Sequence, residues 1–225
     1  MNDAGYVYET FVEGGLRNRE LSRRKILYYA RVGRIKRGNA LVIGFAMPDE
    51  LETLQERGHR VVGIDRDAYA VRVARKKGCE AVMYDVDGGH LPFRDSCFDS
   101  VFAIHIIEHL VHSDTFVGEI HRILKPGGIA VIETPDYEFW GPRRFYVDKT
   151  HTTPFTKSSL RKTLRCKFDL IRIRRMCPPF ILWRFTYLMF GLVNPLNMQR
   201  VSLACIARKR RLDELTGTTE QRSAG

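Results

Sequence analysis

No two cysteines in this chain form a C-x-x-C pair. The five present, Cys79, Cys97, Cys166, Cys177 and Cys205, are scattered and odd in number. That excludes a disulfide framework and fits free thiols in a reducing compartment. No clean apolar run of about 20 residues occurs, so no spanning helix is read. The opening MNDAGYVYETF lacks a basic-then-apolar pattern, and a cytoplasmic location is expected. Acid is scarce in one region: residues 141–211 hold seventeen Lys/Arg and two Asp/Glu, a net of +15. Residues 39–140 hold ten and seventeen, a net of −7. Residues 1–38 add +5 and residues 212–225 subtract 2, giving +11 in all. An acidic core is thus flanked by basic segments, which points the C-terminal third towards an anionic partner or surface.

What is present is organised around residues 87–128, DGGHLPFRDSCFDSVFAIHIIEHLVHSDTFVGEIHRILKPGG. A polar turn leads into a short apolar run at 100–104. A polar cluster follows (His105, Glu108, His109), then a helix-like segment at 116–124, whose charges Glu119, Arg122 and Lys125 are expected to face solvent. Pro126-Gly127-Gly128 stops it, and a second apolar run fills 129–134. Short unalternating apolar runs suit parallel strands buried on both faces. Polar residues just beyond a strand's carboxyl end are where open α/β sheets bind ligands.

The same reading extends along the chain. Residues 9–37 have helical spacing, interrupted at Gly14-Gly15. Residues 40–44 read as a first buried strand, with a helix at 50–57 ended by Gly58. Residues 60–64 form a second strand ending in Asp65. Asp67 then caps a helix at 68–77, and residues 79–84 give a third strand. Thr156 caps a helix at 156–165, and residues 168–174 and 201–207 are β-like. Between those last two lies an apolar and aromatic insertion, residues 177–199.

Four motifs in series carry a family resemblance: Asp87 with Leu91-Pro92-Phe93, Phe98-Asp99-x-Val101, Glu108-His109, and Leu124-x-Pro126-Gly127-Gly128. Together they resemble the class I S-adenosylmethionine-dependent methyltransferases of the type 11 group, over roughly residues 40–168. The resemblance implies an α/β, Rossmann-like three-layer sandwich. Its seven-stranded mixed sheet ends in an antiparallel hairpin. It divides the chain into an N-terminal helical flank or lid (1–38), a methyltransferase domain (39–211) and a disordered tail (212–225). The family's glycine-rich turn, acid-x-Gly-x-Gly-x-Gly, is here Val42-Ile43-Gly44-Phe45-Ala46-Met47-Pro48, and only Gly44 falls on the pattern.

The implied cofactor is S-adenosylmethionine. Gly44 would let the backbone approach it, Asp65 would accept from its ribose hydroxyls, and Asp87 from its adenine, with Asp85 the register-shifted alternative. His105, at the end of the fourth strand, falls where the family presents the methyl group, and histidine can act as a base near neutral pH. His151, in DKTHTTPFT, resembles a motif of members acting on sugars and cell-envelope intermediates, and is the second candidate catalytic residue. His105, Glu108 and His109 are spaced i, i+3, i+4, a set that could hold a metal. Glu108-His109 reads instead as a loop brace, and no metal ligand is assigned. The expected acceptor is an oxygen or nitrogen nucleophile on a small molecule, a glycan or a lipid-linked compound, with an anionic membrane surface as a peripheral contact. Two alternatives stand: an RNA methyltransferase, although no N/D-P-P-Y/F motif follows the fourth strand, and a non-catalytic binding protein on the same fold.

Overall fold

The computed structural model describes residues 15–87, 89–176 and 201–210. The expected insertion at 177–199 and the tail at 212–225 lie outside the described residues. Seven strands form one sheet in the order β3-β2-β1-β4-β5-β7-β6. They are β1 (Asn39–Ile43), β2 (Arg60–Asp65), β3 (Glu80–Met83), β4 (Phe98–Ile104), β5 (Leu124–Pro135), β6 (Leu170–Met176) and β7 (Ser202–Arg208). The first five pair in parallel, and β7 runs antiparallel to both β5 and β6. The expected mixed sheet and terminal hairpin are both present.

Alternation along the strands builds two cores, one on each face. Leu41, Ile43, Val101, Ala103, Ala130 and Ile132 face α4 (Ser113–Ile123) and α6 (Lys157–Arg165), meeting Phe116, Ile120, Leu160 and Leu164. Ala40, Val42, Phe102, Ile104 and Val131 face the other way. There they meet α1 (Gly15–Val32), α2 (Asp49–Glu56) and α3 (Ala68–Lys76) through Ile26, Tyr29, Leu51, Leu54 and Ala74. Strand β1 lies between β2 and β4, so its run ALVI is buried on both faces, as unbroken hydrophobicity requires.

Caps fall where the sequence places them. Asp67 accepts from Tyr69 N–H at 2.8 Å. Thr156 and Ser159 form a reciprocal capping box at the start of α6. Asp99 is structural, accepting from Asn39 N–H at 2.8 Å and pairing with Lys125 at 2.7 Å. A further helix, α5 (Tyr137–Phe145), was not expected from its aromatic and basic sequence; Asp136 caps it by accepting from Glu138 N–H at 3.1 Å.

Two expectations need correction. Glu119 and Arg122 are not solvent-facing. Arg122 bonds Asp95 and Glu119, each at 2.7 Å, and the carbonyls of Leu91 and Phe93 at 3.0 and 2.8 Å. Glu119 in turn accepts from Leu91 N–H at 2.7 Å. The pair fastens the Leu91-Pro92-Phe93 loop to α4. His105 is also not on a helical face with Glu108 and His109, because its φ is +55° and only Ile107–His109 forms a 3-10 turn.

Candidate active site

The parallel register brings four expected site residues to one edge of the sheet. Ile43 is level with Ile64 and with Ala103, and Asp65 with Met83. Gly44, Asp65, Asp87 and His105 therefore leave the carboxyl ends of four neighbouring strands.

Gly44 turns the chain at φ +67°, and its amide donates to Ile64 O at 2.8 Å. A Cβ here would overlap the Ile106 side chain, so only glycine fits. Ala46 also takes a left-handed φ, +48°. Its N–H donates to Asp65 Oδ2 at 2.9 Å, while Asp67 N–H donates to Oδ1 at 2.9 Å. Burial raises the Asp65 carboxyl, the two amide bonds pulling the other way. A carboxylate has about four lone-pair sites, so Asp65 keeps acceptor capacity for a diol. Asp87 is exposed, and its amide donates to Asp85 Oδ1 at 3.0 Å. Asp85 thus makes the turn, which leaves the carboxylate of Asp87 facing outward.

These features fit the adenosine half of S-adenosylmethionine: a close backbone turn, an acid with spare lone pairs, and an exposed acid in the turn beyond the next strand. The notch at Gly44 is filled by Ile106, which must rotate before anything else can enter it.

His105 lies inside an ionic network that sequence patterning did not reveal. Its Nδ1 is 3.1 Å from Glu108 Oε1 and its Nε2 is 3.3 Å from Glu133 Oε1. Glu133 also accepts from Tyr29 OH at 2.7 Å and pairs with Lys25 at 3.2 Å. Both partners come from α1, so the N-terminal helix is tied to the end of β5. Burial alone would lower His105, but hydrogen bonds to Glu108 and Glu133 outweigh it and hold the imidazole up at about 9. Burial would raise Glu133, yet His105, Lys25 and Tyr29 drive its carboxyl well below the usual range. Burial pushes Glu50, beside this cluster, up to about 7. The signal for Glu133 was an acid at the end of an otherwise apolar strand, IAVIETP.

His151 reaches the same region from the segment after α5. Its Nδ1 donates to Phe145 O at 2.7 Å. Thr152 and Thr153 donate their amides to Glu108 O at 2.9 and 3.0 Å. Glu108 therefore stands between the two candidate catalytic histidines, with His105 on one side and His151 on the other. A cavity of about 660 Å³ lies elsewhere, lined by Glu138 and the α6 residues Lys157, Arg161, Lys162 and Arg165. None of the strand-end residues lines it.

Comparison with known proteins bears on the family and the fold. Residues 42–132 match the model of the methyltransferase domain family. A probable S-adenosylmethionine-dependent methyltransferase of Mycolicibacterium smegmatis is 27% identical over 122 residues, covering 54% of this chain and 48% of the relative. A demethylmenaquinone methyltransferase of Tropheryma whipplei is 29% identical over 126 residues, covering 55% and 48%. The chain thus spans about half the length of these curated relatives. A crystal structure of a SAM-dependent methyltransferase from Archaeoglobus fulgidus superposes with a TM-score of 0.71 at 22% identity, covering 90% of this chain and all of the other. Over residues 42–132 the chain is thus similar to the methyltransferase domain family, and it shares its fold with a solved SAM-dependent methyltransferase.

Proposed function

We propose that this protein transfers a methyl group from S-adenosylmethionine to an oxygen or nitrogen nucleophile of a small-molecule, glycan or lipid-linked acceptor. The observation that carries the reading is the shared sheet edge, where Asp65 ends β2, Gly44 and His105 directly follow β1 and β4, and Asp87 lies in the turn beyond β3. The cofactor supplies an activated methyl on a sulfonium centre. The protein's part is to hold, orient and balance charge. Asp65 accepts from the ribose and Asp87 from the adenine. Around the reacting end, three carboxyl groups (Glu50, Glu108, Glu133) face two cations (His105, Lys25). That balance favours a cationic donor.

His105 holds its proton at neutral pH, so it orients and stabilises rather than abstracts. His151 donates through Nδ1 and keeps a lone pair on Nε2, and in the metal-free protein that atom can take a proton from an acceptor hydroxyl or amine. The anionic-surface contact depends on residues 177–199, outside the described residues, and among the described residues no helix is long and apolar enough to cross a membrane.

Calorimetric titration of the folded chain with S-adenosylmethionine tests the assignment. Binding should weaken about tenfold or more in Asp65→Ala, since a charged hydrogen bond is worth about 1.5–3 kcal/mol. Asp85→Ala should lose less. Absence of binding at millimolar ligand would instead favour a non-catalytic protein on this fold.

A further inference from the structure

The structure assigns a divalent transition-metal site to Glu108, His109 and His151. One ligand atom from each lies within 4.8 Å of the others. The i, i+3, i+4 set read from sequence is not the one that forms. His105 is turned away to Glu108 Oε1 and Glu133, and His151 takes its place from a distant segment.

The hydrogen bonding leaves one donor atom free on each residue. Glu108 is fully buried, and while Oε1 meets His105, Oε2 has no hydrogen-bond partner. A carboxylate serving only as a brace would have both oxygens satisfied, because a buried unpaired one is penalised. His151 Nδ1 donates to the Phe145 carbonyl, which can only accept, so Nε2 carries the lone pair. His109 Nδ1 lies 2.8 Å from Thr150 Oγ1 and 3.2 Å from Thr150 O. That hydroxyl gives its own proton to Asp148 Oδ1 at 2.6 Å, so it accepts from His109. His109 Nε2 therefore also carries a lone pair. An imidazole whose far N–H is fixed by an oxygen acceptor is the usual arrangement of a metal-binding histidine.

Packing holds these three together. The His151 ring lies between those of Phe145 and His109, at 4.6 and 4.8 Å. The Thr153 hydroxyl donates to Leu110 O at 2.8 Å, which fastens the His151 segment to the turn that carries Glu108. Asp148 Oδ2 is 3.7 Å from His151 Nε2, beyond hydrogen-bond reach but near enough to add negative charge. Ligand atoms about 2.1 Å from a common ion stand roughly 3–3.5 Å apart, so small side-chain rotations complete the set. Two imidazoles with one carboxylate select zinc, cobalt, nickel or iron over magnesium and calcium. Three protein ligands leave coordination positions open.

Titration of the full chain with Co²⁺ alone, read by visible absorption and calorimetry, tests the site. About one ion per chain should bind, Zn²⁺ should displace it, and Mg²⁺ should not. His109→Ala and His151→Ala should each weaken Co²⁺ binding at least about tenfold, with circular dichroism confirming that both variants fold. The Co²⁺-loaded wild type needs no variant: its NMR spectrum should show two exchangeable, hyperfine-shifted imidazole N–H signals, one per histidine. No binding by the wild type, no such signals, or undiminished binding in the double variant would each overturn the assignment.

Discussion

Ala46 holds a left-handed backbone in which its Cβ is strained, and it does so while donating to Asp65. The family turn uses glycine at such places because glycine adopts positive φ freely. Ala46→Gly should therefore stabilise the fold by about 0.5–1 kcal/mol, the relief of the Cβ clash less the added freedom of the unfolded chain. The midpoint of urea unfolding would show it. A lower midpoint would mean that the methyl group makes contacts outweighing the strain. The position also shows why the departure from the glycine pattern does not abolish the turn. Alanine adds the smallest possible side chain, and Ala46 is exposed, so that methyl meets solvent. Gly44 has no such latitude, because Ile106 occupies the space beside it.

At the level of elements, α4 is fastened to the loop before β4 through Arg122, whose guanidinium reaches two carboxylates and two carbonyls. Removing it as Arg122→Ala leaves Glu119, itself mostly buried, without its cation, and should cost about 2–3 kcal/mol. Thermal unfolding of the variant should register this, while Asp95→Ala, which removes only an exposed partner, should cost far less. The elements themselves were legible in sequence because strand and helix follow from local periodicity and caps. Asp67 and Thr156 cap the helices assigned to them, and 168–174 and 201–207 became the β6–β7 hairpin with boundaries shifted by one or two residues. The strand-end acid Asp65 was legible for the same reason, since it terminates a visible apolar run. The Arg122 clamp and the Glu133 network were not, because each joins residues far apart in sequence, Tyr29 and Glu133 among them, whose meeting is decided by topology. Likewise the partnership of His151 with Glu108 depends on how the segment after α5 folds back, which no local pattern encodes.

For the whole molecule, the network around His105 sets the response to pH. His105 is raised to about 9, so its contribution is complete below its ordinary value near 6.5 and is lost as pH rises through about 9. Glu50, raised by burial to about 7, favours the fold when protonated, so stability declines as pH climbs from about 4.5 to 7. Glu133 is lowered, so its contribution is present above its ordinary value and fails on the acid side. The melting temperature should therefore be highest in mildly acidic solution and fall towards pH 9. Glu50→Gln should flatten the part of that fall below pH 7 and leave the alkaline part intact; a profile level from pH 5 to 9 would contradict the assignment. The segregation of charge along the chain has a related outcome once the pairs are traced. Arg19, Arg23 and Lys25 of the N-terminal flank pair with Asp49, Glu52, Glu56 and Glu133 of the acidic core, and Arg175 of the C-terminal third pairs with Asp136 and Glu138. Part of the basic excess is thus spent on holding the flanks to the core rather than displayed to the outside. Raising ionic strength acts on those stitches as well as on any external anion, so a salt titration of partner binding must be read beside a salt titration of the protein's own melting.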